Sequence, residues 1–180
     1  IDPYGQTMMT RRLKLRPLEP RDAQRIAELA GAWEVASMTG RIPYPYSAEQ
    51  AQHWLTGLAE GEIVFGITHE DALIGICGYT ADDTGRAETA YQKNNFNWGH
   101  GYATEAVRYL MDFGFTKGGI KRFECCHFTE NDASARVITK LGFRRLGHCS
   151  GWCAARGQDL PTIRYERRRP LSARLKAFAS

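Results

Sequence analysis

Apolar side chains along the chain follow two periods, and the switches between them mark out the elements. Leu13 and Leu15 alternate with Arg12, Lys14 and Arg16, which predicts a half-buried strand. Pro20 suits a first helical turn, and Ala23, Ile26, Ala27 and Ala30 form a helix face behind it. Ser47 and Gln50 are spaced as a capping box ahead of Ala51, Trp54, Leu55 and Leu58, a second amphipathic helix. Runs of β-type residues follow at 63–68, 73–79 and 86–92, parted by the turn sequences Glu70-Asp71 and Asp82-Asp83-Thr84-Gly85, so an antiparallel meander is expected.

The helical period returns after Tyr102 in Ala103, Val107, Leu110, Met111 and Gly114. Gly118-Gly119 break that helix, and 121–128 reads as a strand parallel to the one before it, because a helix intervenes. Asn131 can cap a further helix through Leu141, with Val137, Ile138 and Leu141 facing inward and Gly142 as the stop. Two stretches resist the pattern. Residues 31–46 are irregular, with Trp33, Met38 and the run Ile42-Pro43-Tyr44-Pro45-Tyr46, a segment that reads equally as a lid over a substrate or a clasp on the core. Residues 144–169 carry one legible strand, at 162–167.

Between the third β run and the helix lies Trp98-Gly99-His100-Gly101-Tyr102-Ala103-Thr104-Glu105-Ala106. Glycines let backbone N–H groups approach a ligand, the first helical amides have no intrahelical partner, and the macrodipole places partial positive charge there. Such a turn can cradle a pyrophosphate, or can simply be a tight turn packed on a sheet. Two other phosphate loops fit poorly: a Rossmann fingerprint wants glycine at Thr104, and a P-loop wants Gly-Lys-Ser/Thr, which never occurs.

At 180 residues, with 43% hydrophobic and 24% charged side chains, the chain fits one soluble domain. No stretch is apolar enough for a membrane span and no signal peptide is visible, so a cytoplasmic protein with no membrane partner is expected. The five cysteines, Cys77, Cys125, Cys126, Cys149 and Cys153, are odd in number and lack Cys-x-x-Cys spacing, which points to reduced thiols. His148, Cys149 and Cys153 lack zinc spacing and a fourth ligand, so no metal is expected. The net charge of +4 is concentrated near the end, where six cationic side chains between Arg164 and Lys176 face only Glu166. A solvated strand end is the plain reading, and contact with ribosome, RNA or an acidic substrate is the sharper one; nucleic acid is not expected to be the main partner.

The order of elements, the WGHGYATEA stretch and the later ENDASARVITKLGF stretch together resemble the GNAT superfamily of acetyl-CoA-dependent N-acetyltransferases, and within it the RimJ/RimL-type ribosomal-protein N-terminal acetyltransferases. The resemblance extends to the LKLRPLEPRDA opening and the IPYPYSAEQAQHWL segment. It implies an α/β GNAT fold with a mixed, mostly antiparallel sheet, parallel splayed central strands and helices on both faces. One domain is expected over 9–170, with a leader or added residues at 1–8 ahead of it and a basic tail at 171–180, in a monomer or homodimer. The pyrophosphate loop falls on Trp98, Gly99, His100, Gly101, Tyr102, Ala103 and Thr104. The family's bulged strand falls on 88–92, with Tyr91 beside the pantetheine, and its Asn-x-x-Ser signature falls on Asn131 and Ser134. Phe96 stands where the superfamily usually has Gln or Arg, and the ETAYQK strand end replaces the branch's Ile-Gly-Tyr-Trp pattern. Ile138 stands where many relatives carry a thiol-protonating tyrosine, which shifts that role to Ser134.

Transfer of an acetyl group from acetyl-CoA requires a neutral amine. An α-amino group titrates near ~7.7–8.0 and needs modest help, whereas a lysine near ~10.4 needs more. Glu88 and Glu124, on the two strands that would flank the cleft, are the candidate bases, with His127 a third; each is equally readable as an ordinary strand residue. The expected acceptor is a protein or peptide N-terminal amine. A small-molecule amine such as an antibiotic or polyamine is the alternative, and a module that binds acyl-CoA without turnover is another.

Overall fold

The computed structural model describes residues 5–59, 61–93 and 100–171, with the backbone alone for 90–93. The strands are β1 (Met8–Met9), β2 (Lys14–Pro17), β3 (Glu62–His69), β4 (Ala72–Ala81), β5 (Arg86–Lys93), β6 (Arg122–Phe128), β7 (Arg144–Cys153) and β8 (Gln158–Arg168). They form one sheet in the order β1-β2-β3-β4-β5-β6-β8-β7. β5 and β6 are parallel, and every other neighbouring pair is antiparallel. The meander and the parallel return are therefore as the sequence predicts.

Two boundaries differ. Met8 is buried and pairs with Leu15, so the sheet begins one residue ahead of the expected domain start. The unpatterned stretch after residue 143 is a long β7–β8 hairpin. β7 is the edge of the sheet with most of its side chains in water, which leaves no apolar alternation to read.

The helices are α1 (Ala23–Ala30), α2 (Trp33–Ala36), α3 (Ala48–Thr56), α4 (Tyr102–Thr116) and α5 (Asp132–Lys140). α1 and α3 cover one face of the sheet through Ile26, Leu29 and Ala51 against Leu73 and Ile76. α4 and α5 cover the other through Val107, Leu110, Met111, Phe115 and Ile138 against Phe65, Cys77, Phe123 and Tyr165. Sandwiched between the layers, residues 73–79 of β4 are all buried, which is why that strand reads as a continuous apolar run.

Local chemistry starts the helices where expected. The Ser47 hydroxyl accepts from the Gln50 amide at 3.1 Å while the Ser47 amide donates to the Gln50 side chain at 2.8 Å, a complete capping box. The Asn131 side-chain oxygen accepts from the Ser134 amide at 3.1 Å. The Asp82 carboxylate gathers the Thr84 amide, the Thr84 hydroxyl and the Arg86 amide, which closes the β4–β5 turn.

The irregular segment serves both readings. Ile42 is buried with Ala30 and Ala36, the clasp, while Met38, Ile42, Pro43 and Tyr46 line the cavity described below. It is pinned to the β7–β8 hairpin, where the Ala154 amide donates to the Gly40 carbonyl at 3.0 Å and the Cys153 thiol lies 3.5 Å from the Ser37 carbonyl.

α4 approaches the sheet closely at Gly114. A Cβ there would sit 2.6 Å from Cζ of Phe123, whose ring is held edge-on between Tyr79 and Phe115 at 5.3 and 5.0 Å. Helix propensity alone favours alanine over glycine by ~1 kcal/mol, but overpacking a rigid core costs ~1–3 kcal/mol. Gly114→Ala is expected to lower the Tm by about 2–6 °C in thermal unfolding followed by circular dichroism; an unchanged or raised Tm would show that the Phe123 ring yields freely.

Candidate active site

β5 and β6 stay paired only over Arg86↔Arg122, Ala87↔Phe123 and Glu88↔Glu124, and then part. The β4–β5 register runs without a shift from Ala81↔Ala87 to Gly75↔Lys93. The bulge expected over 88–92 is therefore absent from that ladder, and the gap arises because β6 diverges. Beyond Glu88 the β6-facing backbone of β5 has no strand partner among the described residues. Backbone polar groups need partners, so this edge suits an extended ligand.

A cavity of about 660 Å³ opens at the gap. Val107, Ser134 and Ile138 line it from the α4–α5 side, and Ile42, Tyr46, Trp54 and Trp152 from the opposite side. It thus reaches both faces of the sheet between the splayed strands.

The two candidate carboxylates are sorted by this geometry. Glu88 is exposed and lines the cavity. Glu62↔Thr80 and Thr80↔Glu88 are register partners, so cross-strand pairing brings Glu62 onto the same row, and it lines the cavity too. Nothing in the sequence around Glu62 announces this, because its place depends on two strand registers. Glu124 is buried at 8% exposure and lies 2.8 Å from Arg86, 3.1 Å from Arg122 and 3.2 Å from Arg164. The Arg86 hydrogen bond above all holds its carboxyl below the usual carboxylate range, against the opposing effect of burial. It fastens β5, β6 and β8 together at the root of the gap and is not among the cavity walls.

His127 lines the cavity, but both ring nitrogens are engaged: Nδ1 is 2.7 Å from the Phe128 carbonyl and Nε2 3.0 Å from the Tyr165 hydroxyl. A carbonyl only accepts, so the proton is assigned to Nδ1 and Nε2 accepts from Tyr165. Cys126 lines the same space, where burial and the neighbouring Glu88 charge push its thiol up. Asn131 spends its side-chain oxygen on the α5 cap and is not brought to the cavity, whereas Ser134 is.

At the start of α4, Gly101 adopts φ +76°, a conformation glycine takes without strain. The amides of Tyr102, Ala103 and Thr104 precede the first intrahelical bond, which runs from Glu105 to Gly101. Tyr102 stacks on His69 at 5.0 Å and on His100 at 5.4 Å, and its hydroxyl lies 3.2 Å from His69 Nε2. Arg12 packs over the Tyr102 ring at 4.7 Å and binds Glu105 at 2.7 Å, contacts that no local pattern announces. Trp98 and Gly99 lie outside the described residues. The Tyr91 backbone pairs with Cys77, and its side chain also lies outside them.

Among the described residues no three His, Cys, Asp or Glu side chains gather as metal ligands. Cys153 is buried under Ser37 while Cys149 faces solvent. Much of the basic end is consumed internally: Arg164 pairs with Glu124, Arg168 with Glu166, and Arg167 donates to the Leu141 carbonyl. A second, open depression of about 510 Å³ near Arg25 has its charges tied up in the Lys14–Asp71, Arg16–Asp22, Arg21–Glu19 and Arg25–Glu28 pairs. No helix among the described residues is long and apolar enough to cross a membrane.

Splayed parallel strands, a glycine turn opening the following helix and a cavity between the strands define an acyltransferase of the GNAT class. Residues 12–144 match the family model of the acetyltransferase (GNAT) domain, and the chain belongs to that family of N-acetyltransferases. The uncharacterised N-acetyltransferase p20 of Bacillus licheniformis is 30% identical over 162 residues, 85% of this chain and 90% of its own. Mycobacterium smegmatis RimJ, solved with CoA-disulfide, superposes with a TM-score of 0.82 at 20% identity, covering 97% of this chain and 94% of its own. RimL, the ribosomal L7/L12 alpha-N-protein acetyltransferase solved with coenzyme A, gives 0.82 at 17%, covering 96% and 99%. At these identities the two structures establish likeness of fold.

The depressed carboxyl of Glu124 has a signed consequence. Its contribution to stability is present above the unfolded value near 4.5 and is lost as pH falls through the lower folded value. Glu124→Gln is expected to lose stability at pH 7, between the ~1 kcal/mol of an exposed pair and the ~3 kcal/mol of a buried one, because its arginines are partly exposed. In urea unfolding the difference from the parent should shrink as the pH drops below 4.5. A difference independent of pH would show that the charge of Glu124 is not what fastens the strands.

Proposed function

We propose that the protein transfers the acetyl group of acetyl-CoA to the α-amino group of a protein or peptide N-terminus, with Glu88 as the base. The observation that carries the reading is the position of Glu88, an accessible carboxylate at the point where the two strands part, with Glu62 on the same row and apolar side chains among the cavity walls. A carboxylate is a weak base. It suits an acceptor already partly neutral near pH 7, an α-amine at ~7.7–8.0, better than a lysine at ~10.4. The structural likeness to RimL, a ribosomal L7/L12 alpha-N-protein acetyltransferase, and to the ribosomal-protein-S5-alanine acetyltransferase of Vibrio fischeri supports the same class.

The residues fit coenzyme A. Gly101 has no Cβ to obstruct a diphosphate, and the Tyr102, Ala103 and Thr104 amides are available to it, with His100 alongside. The unpaired edge of β5 around Tyr91 would hold the extended pantetheine arm and orient the thioester carbonyl. Trp98 and Gly99 would complete the loop, and Asn131 would serve by capping α5 and so fixing Ser134. Acetyl-CoA supplies an acetyl group on a sulfur leaving group. Glu88 takes a proton from the acceptor ammonium, directly or through one water, and Ser134 holds a proton for the sulfur. The apolar walls limit water around the reacting nitrogen.

A small-molecule amine is the second reading, favoured by the two acidic side chains, Glu62 and Glu88, in the acceptor half of the cavity. Thiol release from acetyl-CoA is to be measured against peptides with Ala or Ser N-termini and against polyamines and aminoglycosides. Turnover on peptides is expected, and turnover confined to the small amines would replace the first reading with the second. Glu88→Gln should lower kcat/KM for the acceptor by ~10²–10³ at pH 7, with KM for acetyl-CoA unchanged and the deficit narrowing above pH 8 as the amine deprotonates unaided. An unchanged rate would remove Glu88 from the chemistry.

A further inference from the structure

We infer that Arg12 is a donor-positioning residue: its guanidinium closes over the turn at the start of α4 and grips the diphosphate of coenzyme A. The inference rests on the donor-site reading above and adds a residue from a distant part of the chain.

Arg12 lies in the link between β1 and β2, and 93 residues separate it from Glu105 in the first turn of α4. Its backbone amide donates to Glu105 Oε1 at 2.8 Å and its Nε to Oε2 at 2.7 Å, while the Thr10 hydroxyl donates to Oε1 at 2.6 Å. These bonds hold the Glu105 carboxyl below its usual range, against burial. Arg12 thus engages Glu105 through both its backbone amide and its guanidinium. It stacks on the Tyr102 ring at 4.7 Å, and one terminal nitrogen comes 3.6 Å from the point where a Cβ of Gly101 would be.

The remaining terminal N–H groups have no acceptor among the described residues, and the side chain is 42% exposed. They stand beside the residue whose left-handed turn opens the helix, next to the first-turn amides.

Charge explains why an arginine is needed there. A carboxylate in the first turn is favourable to the helix dipole but repels an incoming phosphate. Arg12 neutralises Glu105 through Nε and keeps its outer fork for a second anion, a division that the geometry of a guanidinium permits and an ammonium does not. A structural tether alone would use the inner nitrogen and leave the outer ones without consequence for ligands.

The test is calorimetric binding of coenzyme A, dephospho-coenzyme A and, by competition, pantetheine to the parent, Arg12→Gln, Arg12→Lys and Thr10→Val, with the ligand-free Tm of each. Arg12→Gln is expected to weaken coenzyme A and dephospho-coenzyme A alike by ~10-fold or more, and to leave pantetheine unchanged. Arg12→Lys should recover part of the loss, and Thr10→Val should lower the Tm with affinity retained. Equal affinities in the parent and Arg12→Gln would overturn the assignment, as would a loss extending to pantetheine, which would mark general distortion. A loss confined to coenzyme A would move the contact to the 3′-phosphate and overturn the diphosphate assignment. Failure of the parent itself to bind coenzyme A would defeat the donor-site reading instead.

Discussion

The structure depends on two parallel strands that hold together for three residue pairs and then separate. Separation alone would be unstable, because it strips hydrogen-bond partners from two inner edges of a sheet. The root has to be fastened, and Glu124 does this: one buried carboxylate receives guanidinium groups from β5, β6 and β8. Helix layers on both faces then keep the sheet from closing over the gap or tearing further. Cavity, unpaired backbone edge and the accessible carboxylate of Glu88 all follow from where that fastening stops.

Glu88 and Glu124 are register partners on neighbouring strands, yet their environments assign them different work. Glu124 is surrounded by cations and desolvated, so it stays charged and occupied with holding strands. Glu88 lies one strand away on the open side, in contact with the cavity. The sheet thus separates a carboxylate that builds the site from one available to serve it, a division set by burial and partners rather than by residue type.

This is also where the sequence stops being legible. Features set within a few residues could be read: the Ser47–Gln50 capping box, the Asn131 cap, the Asp82 turn and the glycine opening α4. The β3–β4–β5 meander and the parallel return of β6 followed from the same local signals. Glu124 could not be told from Glu88, because its partners Arg86 and Arg164 lie 38 and 40 residues away. Glu62 reaches the cavity only through two registers, and the excess of arginines near the end reads as a free basic surface until β8 pairs Arg164 and Arg168 with glutamates. The bulge implied by family resemblance was likewise a statement about pairing, and pairing is a property of the assembled sheet.

Both ends of the gap are held in advance of any ligand. On one side the start of α4 is fixed by Thr10 and Arg12 through Glu105 and by His69 through Tyr102. On the other, the segment after α2 is bound to the β7–β8 hairpin at Gly40–Ala154 and Ser37–Cys153. Ordering carried out during folding need not be repeated on binding. The side chains that project between these fixed walls are held less tightly. Trp152 is exposed, Glu62 half-buried, and neither is tied into the core, so either side chain can be exchanged without disturbing the parted strands.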